Sequence, residues 1–186
     1  MNSTRNLLAS ALLAGLLPAA SALTLQGQVT APAPDLSIGI WAVSRAGQAG
    51  QALTSAPVDA AGRWNLTLEG APAAALPLTP EPGWPGLLPP VTMTGTPRTQ
   101  EARAYAFTDR NRDGQPDPGE PLCEVSLRAG ERPLFLVWTE SPVTVTGGRG
   151  YRVQLQSGWN AWTLGLGQGI TLDPYKGSPL QTRISP

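Results

Sequence analysis

Oxygen-bearing side chains alternate along residues 109–120, in the sequence DRNRDGQPDPGE. Calcium takes six to eight hard oxygen ligands, and a loop of the form D-x-[DN]-x-[DN]-G-x5-E turns every second side chain towards one ion. This stretch meets that form without substitution, with Gly114 at the sharp turn. The predicted ligands are the side chains of Asp109, Asn111, Asp113, Asp117 (directly or through water) and Glu120, and the backbone carbonyl of Gln115. The pattern predicts a calcium site, and an acidic surface turn without an ion is the alternative.

Three prolines around this loop argue against an EF-hand. An EF-hand uses a backbone N–H at the eighth loop position to pair with a second loop, and Pro116 has no such donor. Pro118 and Pro121 interfere with an exiting helix, and the LCEVSL that follows has the pattern of a strand. We therefore expect a loop that connects two strands.

The segment AFTDRNRDGQPDPGEP, residues 106–121, resembles the calcium loops in the B-type repeats of Ser-Asp-repeat surface adhesins. Those repeats hold a D-x-N-x-[DN]-G-x-x-D-x-G-E-P loop between strands of an immunoglobulin-like sandwich. The resemblance implies that the calcium is structural. Arg110 and Arg112 depart from the pattern and weaken the local negative potential. They favour the modest affinity of extracellular modules, with a Kd of about 10⁻⁴ to 10⁻³ M.

The composition removes the commonest catalytic chemistries. Histidine is absent, so Ser-His-Asp and Cys-His catalysis are excluded and the commonest zinc ligand is missing. Five of the 13 acidic residues fall in residues 109–124, where a metal would occupy most of them. We predict no catalytic residue, and a small hydrolase built on two carboxylates is the enzymatic alternative.

The chain has a single cysteine, Cys123, which cannot close an internal disulfide. It stands in the strand-like run PLCEVSL, and cysteine is among the residue types most often buried. We expect a buried, inert thiol, and an intermolecular disulfide is the alternative.

Residues 1–22 have the three-part layout of a secretory signal. MNSTR supplies a positive charge, LLASALLAGLLPAA an apolar run, and residues 20–22 a small-residue cleavage site. The apolar run is too short and wrongly flanked for a membrane span, although an uncut N-terminal anchor is the alternative. We expect a mature chain that begins at Leu23, is secreted, periplasmic or extracellular, and has no transmembrane segment.

The mature chain has no basic field that would attract nucleic acid. Because Arg5 lies in the signal segment, 12 of the 13 basic residues remain against 13 acidic ones, a net charge of −1. Nucleic acid is therefore not an expected partner.

Short runs with a period of two dominate the mature chain. RWNLTLEG places Trp64, Leu66 and Leu68 on one face, and YRVQLQSG repeats the pattern. Gly, Pro, Asp and Ser separate the runs, as turns require. TQEARAYAF is ambiguous, because its alanines suit a helix and its aromatic residues suit a strand. The predicted class is all-β, as an immunoglobulin-like or prealbumin-like β-sandwich.

A proline-rich connection divides the mature chain. Residues 71–97 carry eight prolines, which cannot donate to a sheet ladder. We predict a first β-rich segment at 23–70, the connection at 71–97, and a second β-rich segment at 98–186 that contains the calcium loop. Apolar residues such as Leu78 and Trp84 indicate that the connection packs against the protein. One sandwich, or two small β-subdomains joined by the connection, both fit this pattern.

The first segment resembles the carboxypeptidase regulatory-like, or transthyretin-like, β-sandwich modules. The opening Gly-x-Val strand of those modules corresponds here to residues 27–29. Their closing D-x-x-G-x-[WF]-x-L-x-L hairpin corresponds to residues 59–68. The resemblance implies a structural or adhesive role.

The six tryptophans divide into two groups. Trp41, Trp64 and Trp138 stand in strand-like runs and are expected in the core. Trp84, Trp159 and Trp162 lie near turns, where an aromatic side chain plugs the end of a sandwich or stacks on a sugar ring. The first role is expected for them, and the second defines an alternative function.

These patterns together indicate an exported, non-enzymatic β-sandwich protein with a structural calcium ion. We expect a binding, adhesion or envelope module whose partner is an unknown protein or glycan at the cell surface. The main alternative is a carbohydrate-binding module that uses exposed tryptophans, and the second is the small carboxylate-based hydrolase.

Overall fold

The computed structural model describes residues 22–73, 75–78, 83–167 and 169–184. The predicted signal segment, residues 1–22, lies outside these ranges except for Ala22. The regular secondary structure of the described chain is almost all β-strand, in one large sheet and one small sheet, which confirms the all-β, sandwich-like class. Within the same ranges, no helix has the length and apolar character needed to cross a membrane.

The strands are short and follow the predicted runs. They are β1 (Leu23–Val29), β2 (Leu36–Val43), β3 (Ala49–Pro57), β4 (Arg63–Leu68), β5 (Leu76–Pro77), β6 (Thr92–Met93), β7 (Arg98–Thr108), β8 (Cys123–Ala129), β9 (Arg132–Thr139), β10 (Val143–Thr146), β11 (Arg152–Leu155), β12 (Gly158–Leu166), β13 (Ile170–Pro174) and β14 (Leu180–Ile184). A short 3-10 helix at Gly148–Gly150 precedes β11.

The alternation in β4 determines which face of that strand is buried. Trp64, Leu66 and Leu68 all point into the core, as the sequence predicts. β4 pairs antiparallel with β1, so that Leu66 lies opposite Leu25, which is also fully buried. Burial of the apolar side chains of both strands is the main favourable contribution to the free energy that holds these strands in the fold.

The ambiguous run TQEARAYAF lies within strand β7, the central strand of the large sheet. One edge of β7 pairs with β2 over the whole stretch from Ala102 to Thr108. The other edge pairs with β9 over residues 99–102 and with β8 over residues 104–106. Pairing on both edges satisfies the backbone groups of β7, which outweighs the helical preference of its alanines.

The large sheet divides at β7 into two layers that face each other. From β7, one branch continues through β9, β12 and β13, and the other through β8, β14, β1 and β4, with β2 and β3 on the opposite edge of β7. The main core lies between the layers, with Ile38 and Trp138 contributed by one and Leu25 and Trp64 by the other. Strands from before and after the proline-rich connection therefore share one sheet.

A second core lies on the outer side of β9 and β12. The small sheet of β6, β10 and β11 covers it, and Val137, Val145 and Val153 lie at its centre. The proline-rich connection contributes Leu78 and Trp84, both buried in this core. Because an apolar core packs on each side of β9, both faces of this strand are fixed in the fold.

Candidate metal centre

The predicted calcium loop begins where β7 leaves the sheet. The first residue, Asp109, is only 4% exposed, and its backbone N–H donates to the carbonyl of Asp35 at 2.7 Å. Asp35 comes immediately before β2, the neighbour of β7. The first predicted ligand is therefore held by the sheet itself.

The two carboxylate oxygens of Asp109 have different surroundings. Oδ2 accepts hydrogen bonds from the backbone N–H of Gly114 at 3.0 Å and from the hydroxyl of Ser37 at 3.3 Å. Oδ1 is buried and has no hydrogen-bond partner within the described chain. A buried polar atom without a partner costs about 1–3 kcal/mol, and more when it is charged. The oxygen fits a cation that binds hard oxygen ligands.

Three further predicted ligands meet on one side of the loop. The side-chain amide of Asn111 donates to Oδ2 of Asp113 at 3.0 Å and to Oδ1 of Asp117 at 3.3 Å. Asn111 and Asp113 also accept from backbone N–H groups two residues further on, at 3.1 and 2.8 Å. These local turns fold the alternate side chains towards each other, as the sequence pattern requires.

Glu120 closes the loop onto Asp117. The backbone N–H of Asp117 donates to Oε2 of Glu120 at 3.0 Å, and the N–H of Glu120 donates to the carbonyl of Asp117 at 3.0 Å. Gln115 is exposed, and its backbone N–H donates to Oδ1 of Asp113. Four of the five predicted side-chain ligands are thus linked by hydrogen bonds. Asn111 contacts Asp113 and Asp117, and Asp117 contacts Glu120, whereas Asp109 stands apart.

The carboxylates are near one another but do not surround a common centre. Among the described residues, no three or more His, Cys, Asp or Glu side chains are close enough together to hold a metal ion. The amide of Asn111 lies between two of the carboxylates, where its N–H groups offset their charges. The residue types fit calcium, and ion binding requires this amide to give up both hydrogen bonds.

Gly114 connects the loop to strand β3. It has φ +78°, a conformation that L side chains rarely adopt, and a Cβ at this position would lie 2.8 Å from the hydroxyl of Ser55. The same hydroxyl donates to the carbonyl of Gly114 at 2.6 Å. Because Ser37 on β2 contacts Asp109, the loop is attached to two strands of the sheet.

The arginines that depart from the adhesin pattern are exposed. Arg112 forms an ion pair with Asp35 at 3.7 Å, and both side chains are open to solvent. An exposed pair of this kind contributes little to stability. The guanidinium of Arg112 is thus paired with Asp35, which is not one of the predicted calcium ligands.

An aromatic cluster lies on the outer face of the sheet beside the loop. Trp41 packs edge-on against Tyr105 and Phe107, with each pair of ring centres 5.6 Å apart. Leu122, which follows the loop, packs against this cluster and is half-buried. The loop therefore begins two residues after Phe107 and ends on the same group of rings.

Of the three tryptophans considered as sugar platforms, Trp84 and Trp159 are buried and Trp162 is partly exposed. Trp84 is 4% exposed and packs on Phe135 with ring centres 5.4 Å apart. Trp159 is 7% exposed and its indole N–H donates to the carbonyl of Gly70 at 3.1 Å. Trp162 is half-buried against the second core. The burial of Trp84 and Trp159 removes the stacking surface that the carbohydrate-binding alternative requires.

The thiol of Cys123 is exposed, so the expectation of a buried cysteine is wrong. Cys123 is the first residue of β8, and the pairing of β8 with β14 reaches only to Val125. On the other edge of β8, Cys123 lies opposite Ala106 of β7, and within the described residues no β14 residue pairs with it.

Sequence reasoning missed a second group of charged side chains, on β7 and β8. The guanidinium of Arg103 contacts Glu101 at 3.0 Å through Nε and Glu124 at 3.3 Å through Nη1. Burial raises the pKa of Glu101 above its ordinary value of 4.5, and the nearby Arg103 opposes that rise. The alternation of Glu101 and Arg103 in β7 was the available signal, because residues two apart share a face of a strand.

A comparison of the chain with protein-family models, curated proteins and solved structures finds no match. The function is therefore inferred from the sequence patterns and from the geometry of the predicted calcium loop and of the charged side chains on β7 and β8.

Proposed function

We propose that this chain is an exported, non-enzymatic β-sandwich protein with a structural calcium ion, and that it acts as a binding, adhesion or envelope module. The observation that carries the proposal is the buried Oδ1 of Asp109, which has no partner within the described chain although it opens a loop of the calcium-binding form. A bound cation offsets the cost of burying that charged oxygen.

The residues that would hold the ion are the predicted set. They are Asp109, Asn111, Asp113, Asp117 and Glu120 through their side chains and Gln115 through its carbonyl. When bound, calcium supplies a charge centre that neutralises the carboxylates and fixes the loop. Neutralising them would release the amide of Asn111 from its present role between Asp113 and Asp117.

The position of the loop supports a structural role for the ion. The loop contacts β2 through Ser37 and β3 through Ser55, and it leads directly from β7 into β8. An ion held here would fasten these four strands at one end of the sandwich. It would also keep Leu122 against the outer aromatic cluster.

Export and a role at the cell surface rest on the sequence. Residues 1–22 have the layout of a secretory signal, and the modest affinity expected of the loop suits the millimolar calcium outside cells. The resemblances to surface adhesins and to transthyretin-like modules both favour a protein or glycan partner over a reaction.

Thermal melting of the mature protein in EDTA, calcium and magnesium tests the proposal. At about 1 mM calcium and a Kd of about 10⁻⁴ M, binding to the folded state adds about 1.4 kcal/mol. For a chain of this size, that raises Tm by about 3–6 °C. Magnesium should stabilise much less, because it requires tight octahedral geometry and retains its waters.

Two matched variants show whether the ion binds at this loop. Glu120→Gln removes one charge from the predicted site and should lose most of the calcium shift. Glu69→Gln makes the same change at an exposed residue outside the loop and should keep the shift. An equal Tm in EDTA and calcium for the unmodified protein would refute the proposal.

A further inference from the structure

The division of the large sheet at β7 leaves an opening between β8 and β9. β7 pairs with β9 up to Ala102 and with β8 from Ala104 onwards. The ladder between β8 and β9 itself joins only Arg128 with Pro133 and Ala129 with Arg132. In the described chain, residues 126–127 of β8 and 134–135 of β9 have no register partner across this opening, which we name the fork cleft.

The fork cleft is large enough for a small ligand. Its volume is about 520 Å³, within the range of about 300–1,000 Å³ that small-molecule sites occupy. Pro85 and Phe135 form the apolar part of its wall on the face that carries Glu101, whereas Leu127 and Leu134 line the cleft from strands β8 and β9 but pack towards the main core. The charged part is the row of Glu101, Arg103 and Glu124. An apolar wall with a few convergent polar groups is typical of a binding site.

The charged row carries an excess of one negative charge. One guanidinium, that of Arg103, lies between two carboxylates. The side chain of Glu101 is only 15% exposed, and Arg103 donates to its Oε1. Among the described residues, none donates to Oε2 of Glu101. Glu124 is about half exposed in the same cleft, and within the described part of the chain it accepts hydrogen bonds from Arg103 alone.

The surroundings of Glu101 indicate which sign of charge a ligand in the cleft would carry. Burial makes the ionised form of this carboxyl less favourable, and the single arginine does not fully compensate, so its pKa remains raised. A second cation beside Oε2 would stabilise the ionised form. An anionic ligand would meet two carboxylates and is disfavoured.

We propose that the fork cleft binds an organic cation, with an ammonium or guanidinium group at Glu101 and Glu124 and a short apolar stem along Pro85 and Phe135. The cation belongs either to a free amine or to a lysine or arginine side chain of a partner protein. This site is separate from the calcium loop and does not depend on the proposed function.

Titration with n-butylammonium, followed by NMR chemical shifts of the mature protein in EDTA, tests the proposal. We expect saturable binding in the millimolar range, whereas n-butanol and butyrate should not saturate. Shortening the probe from butyl to ethyl should weaken Kd by up to about fourfold per methylene, because each buried CH₂ stabilises the complex.

Matched Glu→Gln variants locate the cation. Glu124→Gln and Glu101→Gln should each raise the Kd of n-butylammonium about tenfold, since each removes a charge-assisted hydrogen bond. Glu69→Gln, outside the cleft, should leave Kd unchanged. A melting curve for each variant checks that it is folded, and Glu124, which is half exposed, tolerates the change best.

A second arm separates the two sources of the cation. An N-acetylated lysine peptide that binds tighter than n-butylammonium indicates a partner protein, and a weaker one indicates a free amine. Equal binding of butylammonium and butanol, or unchanged affinity in both folded cleft variants, would overturn the proposal.

Discussion

Replacing Asp109 with asparagine should have opposite consequences with and without calcium. The substitution keeps the size of the side chain and an oxygen that can accept from Gly114 and Ser37. It removes the negative charge that is buried at Oδ1 without a partner. The carboxylate is therefore a cost to the ion-free protein and a ligand in the calcium-bound one.

The expected magnitudes follow from those two roles. Without calcium, the new amide also lacks a partner and costs about 1–3 kcal/mol, and loss of the buried charge, whose cost is at least as large, offsets it. The variant should then melt no lower than the unmodified protein. With about 1 mM calcium, the unmodified protein gains about 1.4 kcal/mol, or about 3–6 °C, and the variant gains almost nothing.

The assay is thermal unfolding in EDTA and in calcium, with Asp59→Asn as the matched control. Asp59 lies outside the loop and accepts hydrogen bonds from the N–H groups of Ala61 and Arg63, at 2.9 and 2.8 Å. That control should lower Tm equally in both solutions and preserve the calcium shift. If Asp109→Asn lowers Tm in EDTA as much as in calcium, the carboxylate is already satisfied without an ion and the reasoning fails.

Two further expectations concern exposed chemistry and pH. The thiol of Cys123 should react with an aromatic disulfide reagent in the native protein nearly as fast as after unfolding, because it is exposed; a reaction only after unfolding would contradict its position. Binding of n-butylammonium should be complete above the raised pKa of Glu101 and weaken as the pH falls through it, since a protonated carboxyl no longer attracts the cation. The charged or titratable groups near Glu101 are Arg45, Arg103, Tyr105, Glu124 and Tyr151. An affinity that is constant with pH, or a fall over the same pH range in Glu101→Gln as in the unmodified protein, would contradict the role of this carboxyl.

The way residues 109–120 fold their alternate side chains together could be predicted, because the residues involved are close in sequence. Asn111, Asp113 and Asp117 are brought together by turns of two residues, which local chemistry specifies. The burial of Asp109 could not be predicted, because it depends on Ser37, 72 residues earlier in the chain. Which strand lies beside the loop is a property of the sheet order, and nothing in the loop sequence encodes that order.

The strands show the same division between local and distant causes. The alternation of β4 was sufficient to predict its buried face. β7 remained ambiguous because its alanines suit a helix, and pairing with β2, β8 and β9 decided its conformation. The exposure of Cys123 was not predicted, because the strand-like run around it indicated burial.

The fork cleft could not be predicted, although two of the three residues of its charged row were visible in the sequence. Glu101 and Arg103 share a face of β7 by their spacing of two. Glu124 joins them only because β8 pairs with β7 in the register that places it opposite Tyr105. The cleft itself exists because β8 and β9 leave β7 at adjacent positions, and no local pattern marks a point where a sheet divides.

Both proposed sites lie along one face of the same strand. Glu101, Arg103, Tyr105 and Phe107 alternate along β7, and Asp109 follows with its carboxylate bonded to Ser37, which lies opposite Phe107. At about 3.3 Å per residue, Glu101 is about 26 Å from Asp109, and Glu124, opposite Tyr105, is about 13 Å from it; both distances exceed the screening length of about 8 Å in physiological salt. Direct electrostatic coupling between calcium and an amine in the cleft is therefore negligible. Any coupling must pass through the buried rings of Tyr105 and Phe107, which β2 holds in register whether or not the loop carries an ion. The two sites should consequently bind independently, so that failure of one proposal leaves the other intact.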